Sequence, residues 1–201
     1  MLKILLFLLL FSPFALQAQQ NSAAERSFKI GLQTMTFVVH TFKTGNPQRY
    51  DLKLDPDGFV VFIPGPAVNG DWYFWRKKPK MHLRFSAGWY KDSGFNDAGF
   101  VHLGLRRDFW KKPGKKFYVT AGLGPAFFVR DNWNAIYPGR VQDPFYGDRV
   151  SKNEKYQYRF FPLGGEVDFI WQLKKGYEVD VSVIPGAPAA IIFKAGVRKV
   201  L

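Results

Sequence analysis

The feature that most constrains the fold of this chain is the alternation of apolar and polar side chains along its strand-like segments. In Arg159–Leu173, one face carries Phe161, Phe169 and Trp171, and the other carries Glu166 and Asp168. A soluble barrel turns its apolar face inward, whereas a membrane barrel turns it outward. Charged side chains of this kind could not line a dry core unless they were paired. The pattern therefore predicts an all-β fold, an eight-stranded antiparallel transmembrane β-barrel of the outer-membrane type.

Eight segments carry the strand pattern, and most meet the length of about 9–11 residues that a tilted membrane strand needs. The second segment is interrupted by Pro64, Gly65 and Pro66, so it is expected to be two pieces or partly loop. The predicted strands are Ser27–Phe42, Gly58–Arg76, Lys80–Lys91, Asp97–Trp110, Lys116–Arg130, Gln157–Leu173, Tyr177–Ile184 and Ala189–Val200.

The connections between these segments alternate in length. The sequences RKKPK, KKPGKK and KKG make tight, basic turns, whereas residues 41–57 and 131–156 make longer loops. Short turns at one end and long loops at the other are typical of outer-membrane barrels. With an even number of strands, both chain ends are expected on the short-turn, periplasmic side.

The N-terminus and the composition narrow the possible functions. Residues 1–18 have an apolar stretch too short for a membrane span and a small residue before the expected cleavage point, so they are predicted to be a signal peptide preceding a barrel of residues 19–201. Cysteine is absent, and the three histidines lack metal-binding spacing, so neither a metal nor a cofactor is expected. The formal net charge of +13 suits anionic lipid or polysaccharide. We expect a membrane-embedded monomer that binds no nucleic acid.

The inward-facing residues divide into two sets by height. The half nearer the short turns holds Lys, Arg, Asp and Glu in near balance, which predicts a paired network. His82 and His102 also face the predicted lumen, and we interpret them as members of this network. The other half is apolar and rich in glycine, and we interpret it as a hollow for an aliphatic chain; its predicted inward residues include Phe37, Val39, Gly88, Tyr90, Phe160 and Pro162. The alternative is that its apolar residues pack against one another and leave no cavity. Pro162 and Pro185 could open gaps in the wall, or could mark a bulge and a strand end.

Three stretches resemble the outer-membrane lipid A palmitoyltransferases. They are YKDSGF, which contains Asp92 and Ser93, FFVRDNWNAI from Phe127 to Ile136, and SVIPGAP from Ser182 to Pro188. The resemblance runs in order from about His40 to near the C-terminus, and the RDNWN run is its most specific piece. It implies an outer-membrane enzyme that moves a palmitoyl chain from a phospholipid donor to lipid A.

The resemblance also implies roles for individual residues. His40, Asp92 and Ser93 correspond to the family's functional residues, and Gly104 corresponds to the residue at the floor of its acyl pocket, where a glycine leaves depth for palmitate. We expect His40 to act as a general base and the Asp-Ser pair to orient or polarise the donor ester. Tyr90 and Arg130 could meet anionic head groups, although Arg130 could equally form a structural ion pair with Asp131.

Other interpretations remain at this point. Taken singly, His40 is a polar residue at a strand end, and Asp92-Ser93 is a turn cap. Strict alternation from Phe28 directs His40 toward lipid, unless a bulge intervenes or the strand has ended. The same scaffold could also be a phospholipase, with water as acceptor, or a barrel that binds lipid without catalysis.

Overall fold

The eight described strands form a closed β-barrel. A computed structural model describes residues 28–40, 51–74, 80–110, 116–136, 155–186 and 190–201. Each strand pairs antiparallel with the next, and β1 pairs with β8, so the predicted fold class is confirmed. The predicted signal peptide, residues 1–18, lies outside the described residues. The elements are β1 (Phe28–His40), β2 (Val60–Trp72), β3 (Met81–Lys91), β4 (Asp97–Phe109), β5 (Phe117–Asp131), a short helix α1 (Trp133–Ile136), β6 (Tyr156–Gln172), β7 (Tyr177–Gly186) and β8 (Ala190–Val200).

The second strand is one continuous element, so the expected interruption at its prolines is wrong. β2 pairs with β1 along most of its length, but it pairs with β3 only over Ala67–Trp72. Pro64 and Pro66 lie beyond that ladder. Because proline lacks a backbone N–H, a strand tolerates it where one edge needs no donor.

The outer surface of the barrel is apolar, and the lower half of its interior is polar. In β3, His82, Arg84 and Ser86 are buried, whereas Trp89 on the opposite face is 51% exposed. This arrangement is that of a membrane-spanning barrel of the outer-membrane type. Among the described residues, no helix has both the length and the apolar character to cross a membrane. Large exposed apolar residues on the other strands include Leu32, Phe62, Leu103, Leu105, Leu123, Phe127, Phe169 and Val197.

We call the end with the β2–β3, β4–β5 and β6–β7 connections the lower end, and the opposite end the upper end. The lower interior is filled by a network of charged side chains, the plug. Arg198 bridges Asp71 at 2.8 Å and Glu178 at 3.2 Å, and the Lys194 ammonium lies 2.7 Å from Glu166. The plug comprises Lys29, Asp71, His82, Arg84, Arg106, Asp108, Glu166, Asp168, Glu178, Asp180, Lys194 and Arg198, all of them buried.

The plug confirms the predicted paired network and adds two carboxylates to it. Asp71 in β2 accepts from both Arg84 and Arg198, and Asp108 in β4 lies 3.5 Å from the His82 ring. Mutual pairing is required here, since an unpaired charge removed from water destabilises a protein by several kcal/mol.

The upper interior is an apolar cluster, so the predicted hollow is largely filled. The rings of Phe100 and Phe128 lie 6.1 Å apart, and those of Phe128 and Phe161 lie 5.8 Å apart. A side-chain carbon on Gly88 would meet the Phe100 ring at 2.5 Å, and one on Gly124 would strike the Leu103 carbonyl. These glycines therefore make room for a ring and for a neighbouring strand, and not for open space.

Two bulges reverse the alternation in the upper half of the barrel. The register of β1 shifts between Met35 and Phe37, at Thr36. Beyond this bulge Val38 is buried in the core, and Phe37 stacks on Phe193 of β8 at 4.6 Å. The expectation that Phe37 and Val39 point inward is therefore wrong.

The second bulge lies in β6. Gly124 pairs with Gly164 and Ala126 with Phe161, so Pro162 and Leu163 together oppose one residue of β5. Above the bulge Phe161 packs against the core and Phe160 is exposed, which is the reverse of their predicted orientation. Pro162 itself is exposed rather than inward, because it is part of the bulge.

The wall has a seam between β6 and β7. The two strands pair only from Gln172 with Glu178 up to Val167 with Val183. Above these pairs β6 continues for eleven residues, Tyr156–Glu166, with β5 on its other side. The seam reaches the upper end of the barrel, where the candidate site lies.

Candidate active site

His40 and Ser93 meet at the upper end of the barrel. His40 is the last residue of β1, and its backbone N–H donates to the Phe59 carbonyl at 2.7 Å. Its Nε2 lies 3.2 Å from Ser93 Oγ, 53 residues further along the chain. The bulge at Thr36 makes this contact possible, because unbroken alternation would point His40 at the lipid. The structure therefore brings two of the three predicted catalytic residues within hydrogen-bonding distance.

Asp92 holds the turn that presents Ser93. Its Oδ1 accepts the backbone N–H groups of Gly94 at 3.0 Å and Asn96 at 2.9 Å, and its carbonyl accepts that of Phe95. Its Oδ2 accepts the indole N–H of Trp133 at 2.6 Å. The turn-cap interpretation of Asp92 is thus correct, and it is compatible with a positioning role for this carboxylate.

The RDNWN run closes over the candidate site from β5. The Arg130 guanidinium lies 4.4 Å from the Trp133 ring, and its Nε donates to Gln157 at 2.9 Å. The neighbouring carboxylate of Asp131 accepts the backbone N–H of Asp97 at 3.1 Å. Arg130 is buried, so in this arrangement it supports Trp133 and, through Trp133, Asp92.

The electrostatics of Asp92 follow from its position. Only 9% of the residue is exposed, and this burial raises the pKa of its carboxyl above the ordinary value. The Arg130 charge and the donors from Asn96, Trp133 and Gly94 act in the opposite direction without cancelling the effect of burial. A small number of identifiable contacts therefore offset part of the effect of burial on this carboxyl.

A cavity of about 60 Å³ lies inside the upper barrel, against the seam. The rings of Phe100, Phe128 and Phe161 line it, and Pro185 of β7 lies where it meets the wall. A water-sized probe needs about 10–15 Å³. The space therefore holds a few small groups or the end of a chain, and not a whole long acyl chain.

His102 is the polar residue at the bottom of this cavity. Its Nδ1 lies 3.4 Å from Glu166 of the plug, while its buried Nε2 has no hydrogen-bond partner. A side-chain carbon on Gly104 would lie 2.8 Å from Cε1 of His102, so the imidazole covers that glycine. The sequence predicts His102 to be a network member, which the Glu166 contact confirms, but the sequence does not identify its place in the cavity lining.

The remaining predicted substrate-binding residues are distributed around the cavity and the wall. Tyr90 is buried in the apolar cluster, with its ring 6.4 Å from that of Phe100. Gly88 packs against the same ring, Pro185 lies at the seam, and Pro162 is on the outer surface.

Two residues that sequence reasoning missed belong to the candidate site. Trp133 and Gln157 connect Arg130 to Asp92, and both are buried. Trp133 was visible in the RDNWN run, but its contact with Asp92 spans 41 residues and left no local signal. Gln157 sits in β6 above the bulge, where simple alternation fails.

Comparison with known proteins gives likenesses of shape alone. No protein-family model matches the chain, and no curated protein matches it. Among solved structures, the N-terminal β-barrel domain of Pseudomonas aeruginosa OprF is 13% identical, with a TM-score of 0.47, covering 89% of this chain and all of that domain. Ail, the attachment invasion locus protein of Yersinia pestis, is 10% identical, with a TM-score of 0.48, covering 89% of this chain and all of Ail. At such identities and scores, the likeness carries no information about function.

Proposed function

We propose that this barrel is an outer-membrane acyltransferase that moves a palmitoyl chain from a phospholipid to lipid A. The observation that supports the proposal most is the 3.2 Å approach of His40 Nε2 to Ser93 Oγ beside a buried carboxylate. An imidazole within reach of a hydroxyl is the arrangement that general-base and nucleophilic chemistry both use.

In the proposed reaction, His40 takes the proton of a lipid A hydroxyl. The hydroxyl oxygen attacks the donor ester carbonyl, the bond between that carbonyl and the glycerol oxygen breaks, and His40 returns the proton to the leaving lysophospholipid. Ser93 orients His40 and the ester, and Asp92 fixes the turn that carries Ser93. In a covalent variant, His40 takes the Ser93 proton, Ser93 Oγ attacks the ester carbonyl, and the lysophospholipid leaves with that proton. The lipid A hydroxyl then loses its proton to His40 and attacks the acyl–Ser93 ester, and Ser93 Oγ leaves and regains the proton.

The location of the pair suits lipid substrates. His40 and Ser93 lie at strand ends, at the height where Trp89 faces outward, and aromatic residues mark the membrane interface at this level. The cavity lies below them against the seam, so a donor chain would enter sideways past Pro185. Arg159 is exposed on β6 beside that seam, over the Phe161 ring at 5.4 Å, and in the proposal it contacts the donor phosphate.

A long chain needs more room than the cavity offers. In the proposal, the rings of Phe128 and Phe161 rotate when the chain enters. The same packing favours a second candidate function, a barrel that binds the end of a lipid chain without catalysis. A phospholipase is the third, because the His40–Ser93 pair would serve equally with water as acceptor.

The test is mass spectrometry of lipid A from cells with and without the gene, repeated with His40→Ala and Ser93→Ala. We expect one added acyl chain, lost in both variants. Ser86→Ala is the matched control, since Ser86 is a buried serine on the same strand that leads to Ser93. Unchanged lipid A with accumulating lysophospholipid supports the hydrolase, and no change in either lipid supports the non-catalytic barrel.

A second experiment separates the two chemical routes. The purified barrel is incubated with phospholipid and no acceptor, and its intact mass is measured. A gain of one acyl group that disappears in Ser93→Ala supports the covalent route. An unmodified protein that still transfers when lipid A is added supports direct attack.

A further inference from the structure

Among the described residues outside the plug, the net positive charge is concentrated at one end of the barrel. The chain has 29 Lys and Arg against 16 Asp and Glu. Inside the plug, the two signs are nearly balanced, because six carboxylates face five basic side chains. The remaining described acidic residues lie at or beyond the upper strand ends, and they are Asp51, Asp55, Asp57, Asp92, Asp97 and Asp131.

The lower end has the opposite character. Its described basic residues form a surface that we call the lower rim: Lys80, Arg107, Lys116, Lys174, Lys175 and Lys199. Among the residues that the structure describes, no exposed aspartate or glutamate side chain shares this end of the barrel. The cations of the lower rim therefore have no exposed anionic side chain within the described chain to compensate them.

Aromatic side chains are interleaved with these cations. The Lys199 ammonium lies 4.1 Å from the Tyr177 ring centre, and the Arg107 guanidinium lies 5.6 Å from that of Phe109. Exposed rings at the same height are Trp72, Phe109, Trp110, Phe117, Trp171 and Tyr177. Such rings occupy the boundary between acyl chains and head groups, so the lysine stems rest on apolar surface while their charges reach the head-group layer.

We propose that the lower rim binds the head groups of anionic phospholipids in the leaflet that surrounds the short turns. Anionic lipid attracts clustered Lys and Arg close to a membrane surface, and the attraction increases with each added charge. A zwitterionic head group gains less here, because the described part of the rim offers its ammonium group no exposed aspartate or glutamate side chain. A surface that binds a soluble anionic polymer needs cations that project away from the bilayer. Arg107 and Lys199 instead lie along the strands, at the level of the exposed aromatic rings of the lower end. The inference does not depend on the proposed acyltransferase activity.

The experiment compares the lipids retained by the intact barrel. Protein is reconstituted from an equal mixture of phosphatidylglycerol and phosphatidylethanolamine, and retained lipids are counted by native mass spectrometry. The rim variant carries Lys174→Gln, Lys175→Gln and Lys199→Gln together. The control variant carries Lys53→Gln, Lys91→Gln and Lys155→Gln at the upper end, where Lys155 also lies over an aromatic ring.

We expect wild type and control to retain phosphatidylglycerol preferentially. In the rim variant, the ratio of retained phosphatidylglycerol to phosphatidylethanolamine should fall by at least about tenfold. Circular dichroism checks that all three proteins fold, which is expected because the substituted side chains lie outside the plug. Equal retention of both lipids by wild type, or an equal loss in the control variant, would overturn the proposal. Binding to isolated peptidoglycan that only the rim variant loses, with lipid preference intact, would assign the surface to a soluble polymer and overturn it as well.

Discussion

The contact between Trp133 and Asp92 gives the sharpest test of how the candidate site is built. Trp133→Phe removes the indole N–H that donates to Asp92 Oδ2 at 2.6 Å, but it keeps an aromatic ring beside Arg130. Hydrogen bonds to charged groups contribute about 1.5–3 kcal/mol. Because Asp92 is almost fully buried, water cannot replace the lost donor at low cost. We therefore expect the bond to account for about 2 kcal/mol of the free energy of unfolding lost in this variant.

The smaller ring also leaves space, which adds a packing loss unrelated to the hydrogen bond. A double-mutant cycle with Asp92→Asn separates the two contributions. A neutral amide accepts a bond about half as strong as a carboxylate does, so Trp133→Phe should cost about 1 kcal/mol less in the Asp92→Asn background. Urea unfolding of the barrel in lipid vesicles, followed by far-ultraviolet circular dichroism, measures all four proteins.

The reasoning is refuted if the coupling energy between Trp133→Phe and Asp92→Asn is below about 0.5 kcal/mol, because the effects of independent substitutions add to within that amount. That result would mean that the carboxylate does not depend on the indole, and that burial of Asp92 is relieved in some other way. Trp171→Phe is the matched control, because Trp171 is an exposed tryptophan of the lower end that lies far from the candidate site. Its coupling to Asp92→Asn should be zero within error.

Three further predictions concern the plug, the cavity and the dependence on pH. Lys194→Met removes one partner of a buried ion pair and should reduce the free energy of unfolding by about 3–5 kcal/mol. The control Lys91→Met breaks an exposed ion pair and should reduce it by at most about 1 kcal/mol in the same urea assay. Equal losses in the two variants would contradict the buried network. His102→Gly should lengthen the acyl chain that is transferred, as measured by mass spectrometry of lipid A, and an unchanged chain length would remove His102 from the cavity floor. Because the pKa of Asp92 is raised in the folded protein, its contribution to stability is present at low pH and is lost as pH rises through that pKa. In urea titrations, the free energy of unfolding of wild type relative to Asp92→Asn should therefore fall with rising pH. A rise with pH would contradict the burial argument.

Much of the barrel could be predicted from the sequence because one physical rule governs its lower half. There the side chains alternate strictly, so the inward positions of Arg84, Glu166, Asp180 and Lys194 follow from counting by two. The strand ends also lie within a few residues of the predicted ones, since turns rich in lysine, glycine and proline end each strand. Asp71 was missed because Pro64 and Pro66 obscured the register of the strand that carries it.

The candidate site was less predictable because its geometry depends on departures from that rule. The resemblance named His40 and Ser93, but counting along β1 pointed His40 outward, and only the bulge at Thr36 turns it toward Ser93. The glycine-rich interior suggested a hollow, although Gly88 and Gly124 accommodate a ring and a backbone. Contacts of this kind depend on distances across the barrel, which periodicity along one strand does not contain.

Both bulges lie in the upper half of the barrel, and their positions follow from what each half must do. In the plug, a shift of one residue would carry Glu166 or Asp168 into lipid and would leave Arg84 and Lys194 unpaired, which is too costly to tolerate. Above the plug the inward residues are apolar, so exchanging inward for outward positions costs little. A bulge there can re-aim one side chain, as at His40, while the charged network below holds the register of every strand. The rigid lower half therefore permits the irregular upper half, and the irregular half is where the candidate catalytic pair forms.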